Sequence, residues 1–318
     1  MLNDLSAKVL NGENLNYEEA KKLLDIDGDE VYDLMFFSHK VKLKFVKAGS
    51  ELCAIIPGKV GKCSENCKFC AQSVYHKTKI EVKKIDRKKI IQKAIEVEAY
   101  GVQRYSIVNS GYAPTAGEFD EILDIYSEIK TRTKLKLCAS LGVIDEEKAK
   151  KLRGAGVTRY HHNVETSRKF YPKICTTHSY DKRFETINAV KSACMEICCG
   201  GIISLGETWD DKLDMAFEIR DLNPDSVPIN ILTPIPGTPL ENQKVMSPME
   251  IFKTIAIFRF VMPKVSIRIA GGRLTALKDL QVLLFLAGAD AMITGDYLTT
   301  YGRNIPDDVE MIKHLYDI

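Results

Sequence analysis

Residues 105–141 read YSIVNSGYAPTAGEFDEILDIYSEIKTRTKLKLCASL. The apolar run Tyr105-Ser106-Ile107-Val108 has strand character. After it come a turn and a helical stretch in which Leu123, Tyr126 and Ile129 recur at helical spacing behind Glu118. A second apolar run, Leu135 to Leu141, follows. A strand, a polar or glycine-rich turn, an amphipathic helix and another strand make one β/α unit, in which the helix is the crossover between parallel strands.

The same unit recurs outward in both directions. The apolar runs are Cys53–Ile56, Tyr105–Val108, Leu135–Leu141, Tyr160–Val164, Ile197–Leu205, Val227–Leu232, Val265–Ala270 and Ala291–Thr294. Helical patterns lie between them, such as Ile90, Ile91, Ala94 and Ile95 after Asp86, and several stop at glycines, as at Gly101, Gly156 and Gly288. Ahead of the repeat, Asn16 and Glu18-Glu19 open a helical run with Ala20, Leu23 and Leu24 that Gly28-Asp29 breaks. The pattern predicts an α/β protein: a helical extension over residues 1–40, then a TIM-type (β/α)8 barrel with a C-terminal helix over 41–318. An open doubly wound sheet is the alternative, and either fold puts function at the carboxyl ends of the strands.

A chain of 318 residues suits one such barrel, and 45% hydrophobic with 28% charged residues is a globular composition. No stretch approaches the roughly 18 unbroken apolar residues of a membrane span. The opening Met1-Leu2-Asn3-Asp4-Leu5 lacks the basic start and apolar stretch of a secretory signal, so a cytoplasmic location is expected. The 45 basic residues against 43 acidic ones give no field to recruit nucleic acid or an anionic membrane, and the lysines from Lys77 to Lys89 read as solvated helix faces. Nine cysteines is an odd count that a closed disulfide framework would not leave.

Three of those cysteines carry the chemistry. Cys63, Cys67 and Cys70, in GKCSENCKFC after the first strand, bring three thiolates to one loop on the functional face. A structural zinc ion usually takes four ligands, and no fourth Cys or His follows at zinc-finger spacing. A [4Fe–4S] cluster held by three cysteines keeps one iron open for a small molecule. A zinc site completed from afar, or an electron-transfer cluster with a remote fourth thiolate, are the other readings.

CxxxCxxC on such a loop, with Phe69 before the last cysteine, resembles the radical S-adenosylmethionine (SAM) superfamily. That resemblance implies that the open iron binds SAM, whose reductive cleavage gives a 5′-deoxyadenosyl radical. The likeness extends over nearly the whole chain from about residue 50 to the biotin synthase family. It is carried by CSENCKFCAQS (Cys63–Ser73), YHHNVETS (Tyr160–Ser167), GGIISLGET (Gly200–Thr208), SVPINILTPIPGTPL (Ser226–Leu240), IRIAGGR (Ile267–Arg273) and DYLTT (Asp296–Thr300). It implies sulfur insertion between two saturated carbons of dethiobiotin, with two hydrogen abstractions and two SAM molecules. A homodimer and an electron donor such as flavodoxin or ferredoxin are expected with it.

Asn163 and Glu165, two apart on the fourth strand, point to one face, and an amide with a carboxylate suits ribose hydroxyls. By similarity both bind SAM, and Arg183 pairs with its methionyl carboxylate, which a planar guanidinium does well. Gly200 and Gly201 would let a ligand approach the backbone, and Glu207 could accept from it. Asn230, inside an apolar run, is an amide that needs partners. The resemblance assigns Asn230 and Asn163 to the ureido ring of dethiobiotin and Thr299 or Thr300 to its carboxylate end. His161 stands where the family has an asparagine.

The family's second cluster, [2Fe–2S], is held by three cysteines and an arginine. Cys138, Cys198 and Arg268 match, but Ser106 occupies the place of the remaining cysteine, and a serine alkoxide is a poor, hard substitute for a thiolate on iron. Spare thiols lie nearby in sequence, Cys199 next to Cys198, Cys194 before the fifth strand and Cys53 on the first. The sequence therefore predicts an auxiliary cluster on Cys138, Cys198, Cys199 and Arg268, either [2Fe–2S] or an altered four-iron one with an exchangeable sulfide; a buried, inert Cys199 is the alternative. Strand alternation puts Cys198 and Cys199 on opposite faces unless a bulge at Gly200-Gly201 turns both inward. The competing functions are a hydrogenase maturase or methylornithine synthase of the same barrel group, and a non-catalytic iron–sulfur protein.

Overall fold

The computed structural model describes residues 1–46, 50–84 and 86–316. Eight parallel strands run in chain order around a barrel: β1 (Glu51–Val60), β2 (Arg104–Asn109), β3 (Lys136–Ser140), β4 (Val157–His161), β5, β6 (Ser226–Ile231), β7 (Ser266–Ile269) and β8 (Ala291–Thr294). β5 comes in two pieces, Glu196–Cys198 and Gly201–Ile203. β8 pairs back onto β1, Glu51 opposite Ala291, which closes the barrel and excludes the open sheet.

The helices are α1 (Leu2–Leu10), α2 (Tyr17–Lys21), α3 (Glu30–Phe45), α4 (Arg87–Ala99), α5 (Ala116–Arg132), α6 (Glu146–Gly154), α7 (Tyr180–Ser192), α8 (Trp209–Asp221), α9 (Pro248–Val261), α10 (Arg273–Leu277), α11 (Leu283–Leu286) and α12 (Ile305–Tyr316). Several start on side chains legible in the sequence. Thr115 with Glu118, and Asn16 with Glu19, form reciprocal capping boxes, and Asp86 caps α4. α3 runs past residue 40 and packs on α9; its Ser38 hydroxyl donates to Ala287 O at 2.7 Å and its buried Lys42 to Phe285 O at 2.6 Å.

Strand alternation sorts the barrel residues. Tyr105, Ile107, Leu137, Ala139 and Tyr160 join the apolar core shared with the helices. Arg104, Ser106, Cys138, Arg159 and His161, the residues between, turn into the lumen.

The fourth strand is Val157–His161 rather than Tyr160–Val164, because Val157 already opens the buried pattern and the chain leaves the ladder toward Glu165, whose φ is +72°. The gap in β5 lies opposite Pro228 of β6, which has no N–H to donate to a ladder. A Cβ on Gly200 would sit 1.8 Å from Pro228 O, so only glycine lets the two strands approach there. Of the lysine-rich run, Lys88 and Lys89 ride on α4, whereas Lys83-Lys84 pair antiparallel with the end of β1; all four are exposed.

Candidate active site

The carboxyl end of the barrel opens into two adjoining chambers. The outer, about 190 Å³, is walled by Cys63, Cys67 and Cys70 with Asn163, Glu165 and Arg183. The inner, about 380 Å³, continues down the lumen past Asn230 to Cys53, Cys138, Cys198 and Arg268. His161, Asn163, Glu165 and Cys70 line both, so a molecule in one faces the other.

The thiol loop is held by its own backbone and by the segment after β4. Cys63 N donates to Gln72 O and Val74 N to Cys63 O, each at 2.9 Å, and Cys70 N donates to Cys67 O at 2.9 Å. The Asn66 side chain accepts from Thr176 N at 2.9 Å and donates to Thr176 Oγ1 at 2.7 Å. All three thiols are free of disulfides. A hydrogen bond with Cys175 and burial push the Cys67 thiol up, and burial pushes Cys70 up to about 11. A bound cation reverses that preference by deprotonating coordinated thiols. Cys175 lies behind Cys67 and does not face the chamber, so three thiols face it, which fits a [4Fe–4S] cluster with one open iron.

Asn163, Glu165 and Arg183 meet on the far wall. Asn163 Nδ2 donates to Glu165 Oε2 at 3.2 Å, and Arg183 Nη1 reaches Asn163 O at 2.8 Å and Glu165 Oε1 at 3.3 Å. Two carboxylate and amide acceptors beside a guanidinium suit a ligand with hydroxyls and a carboxylate, as SAM has.

Gly200, Gly201 and Glu207 depart from the expected ligand contacts. The space beside the two glycines is filled by Pro228 O, Met215 Sδ and Glu165 O, so they admit neighbouring protein rather than a ligand. Glu207 lines neither chamber; its Oε1 accepts from Ser204 N at 2.9 Å and faces Lys212 Nζ at 3.2 Å, while Oε2 is buried without a partner among the described residues.

On the substrate side, Asn230 Oδ1 accepts from Gly271 N at 3.0 Å and Nδ2 donates to Gly201 O at 3.3 Å, leaving one amide hydrogen and one lone pair for a ligand. Thr299 and Thr300 line the same chamber. Burial holds His161 below its ordinary pKa, so it faces the lumen as a neutral imidazole, able to donate and accept as the amide of an asparagine would.

The floor corrects one expected ligand. Cys199 is fully buried in the apolar core outside the lumen and does not reach the chamber; the break at Gly200 does not turn it inward. Cys53 stands in the chamber instead. Its thiol donates to Ala54 O at 3.8 Å and neighbours Cys138, which faces Ser106 across the β2–β3 ladder. Three buried thiols, Cys53, Cys138 and Cys198, thus meet around Arg268.

Beneath them lies an ion network that the motifs did not reveal. Glu51 pairs with Arg104 at 2.8 Å, Arg159 at 3.0 Å and also Arg268; Glu196 pairs with Arg104 at 2.9 Å and Arg159 at 2.7 Å. Arg104 Nη1 also lies 3.8 Å from Cys138 Sγ. Interaction with the neighbouring Cys53 thiol and the three guanidiniums holds the Cys138 thiol below its ordinary pKa. Arg268 Nη1 is buried with no partner among the described residues. Three thiols, a surplus of positive charge and an orphaned donor fit an anionic, sulfur-rich group such as an iron–sulfur cluster. The sequence signal was parity: Arg104 and Arg159 stand two residues before lumen-facing Ser106 and His161 in otherwise apolar strands.

Residues 59–219 match the radical SAM superfamily, and residues 228–315 match the Biotin and Thiamin Synthesis associated domain. The biotin synthase of Heliobacterium modesticaldum is 48% identical over 99% of this chain and 97% of its own length. That of Clostridioides difficile is 49% identical over 97% and 96%. Among solved structures, methylornithine synthase superposes with a TM-score of 0.86 at 21% identity, covering 98% of this chain and 96% of that one. The [FeFe]-hydrogenase maturase HydG gives 0.85 at 16%, covering 99% and 74%; both likenesses concern the fold. Identity near one half over the whole length is decisive: this chain belongs to the biotin synthase family of radical SAM enzymes.

Proposed function

We propose that this protein converts dethiobiotin to biotin, with SAM and the three-thiol cluster at the mouth of the barrel and an auxiliary iron–sulfur cluster at its floor as the sulfur donor. The observation that carries this is the stacking of the two chambers: the thiol loop and Arg183 above, Asn230 between, and Cys53, Cys138, Cys198 and Arg268 below. A substrate held at Asn230 lies between a radical source and a sulfur source.

When bound, the mouth cluster and SAM supply the 5′-deoxyadenosyl radical that removes hydrogen from carbon, once for each of the two C–S bonds formed. The chain orients and shields. Cys63, Cys67 and Cys70 hold the cluster with one iron open; Arg183 takes the carboxylate of SAM, and Asn163 and Glu165 its ribose. Asn230 and Asn163 hold the ureido ring of dethiobiotin, His161 faces it, and Thr299 or Thr300 receives its carboxylate. The depth of the lumen excludes water from the reacting carbons.

At the floor, Cys53 supplies the thiolate that Ser106 cannot. With Cys138 and Cys198 it would give a three-thiolate set to hold a four-iron cluster, and Arg268 with the arginines beneath would compensate its negative charge. Flavodoxin or ferredoxin as electron donor, a homodimer and a cytoplasmic location complete the proposal.

Anaerobic incubation with SAM, a reductant and dethiobiotin tests it. Formation of biotin with 5′-deoxyadenosine is the expected result. SAM cleavage indifferent to dethiobiotin would favour a reaction of the maturase or methylornithine synthase kind. Iron bound without any spectral response to SAM would mark a non-catalytic iron–sulfur protein.

A further inference from the structure

We propose that Glu65, His178 and Tyr171 form a directed hydrogen-bond relay that fixes the orientation of Arg183, so that the loop carrying the mouth thiols also shapes the carboxylate clamp. The proposal rests on the reading of Arg183 as the residue that receives the carboxylate of SAM, and adds three positioning residues to it.

The direction of each bond follows from what each group can do. Arg183 has only donors, and its Nε–H points at the Tyr171 hydroxyl oxygen at 2.9 Å. With that oxygen accepting, the Tyr171 proton is free to go to His178 Nε2 at 2.8 Å. Nε2 must then be the unprotonated ring nitrogen, and Arg183 Nη2, 3.2 Å away, points at the same lone pair. Nδ1 carries the ring proton and donates to Glu65 Oε2 at 2.5 Å. The other tautomer would set a bare Nδ1 against a carboxylate, and both it and an imidazolium would set an Nε2–H against the guanidinium, so the two ends together select the form with Nδ1 protonated and Nε2 bare.

Glu65 lies between Cys63 and Cys67 in the thiol loop, and Thr177 Oγ1 also donates to its Oε2 at 2.6 Å. His178 and Glu65 are only 10% and 12% exposed in their side chains and Tyr171 is buried, so water does not compete for these bonds. The relay uses Nε and one edge of Nη2; Nη1 is committed to Asn163 O and Glu165. What remains for a ligand is the second N–H of Nη2, and Arg183 lines the chamber that the three thiols also line.

Glu65, Cys175 and His178 lie close enough together to suggest a metal ion instead. Two donor atoms on one tetrahedral ion with bonds of about 2.1 Å stand about 3.4 Å apart. The 2.5 Å between His178 Nδ1 and Glu65 Oε2 is a hydrogen-bond distance, and the second ring nitrogen is already engaged.

The test uses the full chain, anaerobically reconstituted, as Tyr171→Phe, His178→Phe, the double variant, and Arg183→Gln. Iron content, SAM affinity from the spectral change of the mouth cluster, and the KM for SAM against kcat are read for each. Loss of a hydrogen bond to a charged group predicts SAM binding about 10-fold weaker in Tyr171→Phe, with iron content unchanged and the effect in KM rather than kcat. The double variant should lose no more than the worse single one, since both cut one chain. Unchanged SAM affinity in Tyr171→Phe and His178→Phe, beside weakened affinity in Arg183→Gln, overturns the relay while leaving the reading of Arg183 intact. Full affinity in Arg183→Gln removes that reading itself. An additional metal ion bound to the reconstituted protein and lost in His178→Phe would also overturn the relay.

Discussion

The mouth and the floor of this barrel gather cysteines by different routes. At the mouth, Cys63, Cys67 and Cys70 come from one loop, and local hydrogen bonds with Gln72, Ser73 and Asn66 hold it. At the floor, Cys53, Cys138 and Cys198 come from β1, β3 and β5, and nothing joins them until the barrel closes. The loop set is a property of spacing. The floor set is a property of register and strand parity, and it depends on the ion network of Glu51 and Glu196 that ties β1, β2, β4, β5 and β7 together beneath it.

The largest expected effect breaks the mouth. Cys67→Ala should abolish both 5′-deoxyadenosine and biotin formation, since without that thiolate the radical is not made; retained SAM cleavage would refute the assignment. Cys53→Ala should separate the two regions: biotin formation is lost, while iron at the mouth and SAM cleavage persist. Product analysis by chromatography checks both.

A smaller, structural effect falls on Glu51. Burial alone would raise its carboxyl, but Arg268, Arg159 and Arg104 outweigh that and hold it at about 2. A depressed carboxyl contributes stability that is present above its ordinary value near 4.5 and is lost as the pH falls toward 2. Glu51→Gln should therefore cost on the order of 3 kcal/mol at neutral pH and flatten the acid limb of a urea-unfolding series. An unchanged acid limb would show that the arginines do not depend on Glu51. The smallest effect is expected at Cys199, whose side chain packs in the outer core. Cys199→Ala should lower stability by about 1 kcal/mol and leave iron content and biotin formation unchanged.

Much of the fold was readable because each β/α unit carries its own punctuation: Asp86 and Thr115 open helices, and Gly101 and Gly156, both at positive φ, close them. The mouth was equally readable, with its ligands a few residues apart. Cys53 was visible only as one spare thiol among three, because nothing local distinguishes a thiol that faces a cluster from one in an apolar strand; its neighbour Cys138 is two strands away. Cys199 misled for the complementary reason. Its place beside Cys198 suggested a shared site, whereas neighbours on a strand face opposite sides. The glycines at 200 and 201 looked ligand-facing because close approach by a ligand and by another strand impose the same demand, and only Pro228 in the third dimension decides between them.

Iron counting with Mössbauer spectroscopy on a chain lacking the mouth thiols tests the central claim most directly. In a Cys63→Ala, Cys67→Ala, Cys70→Ala background, anaerobic reconstitution should still load an iron–sulfur cluster at the floor, unaffected by adding Cys199→Ala and lost on adding Cys53→Ala. A floor that binds no iron, or one that keeps its cluster unchanged without Cys53, would contradict the account.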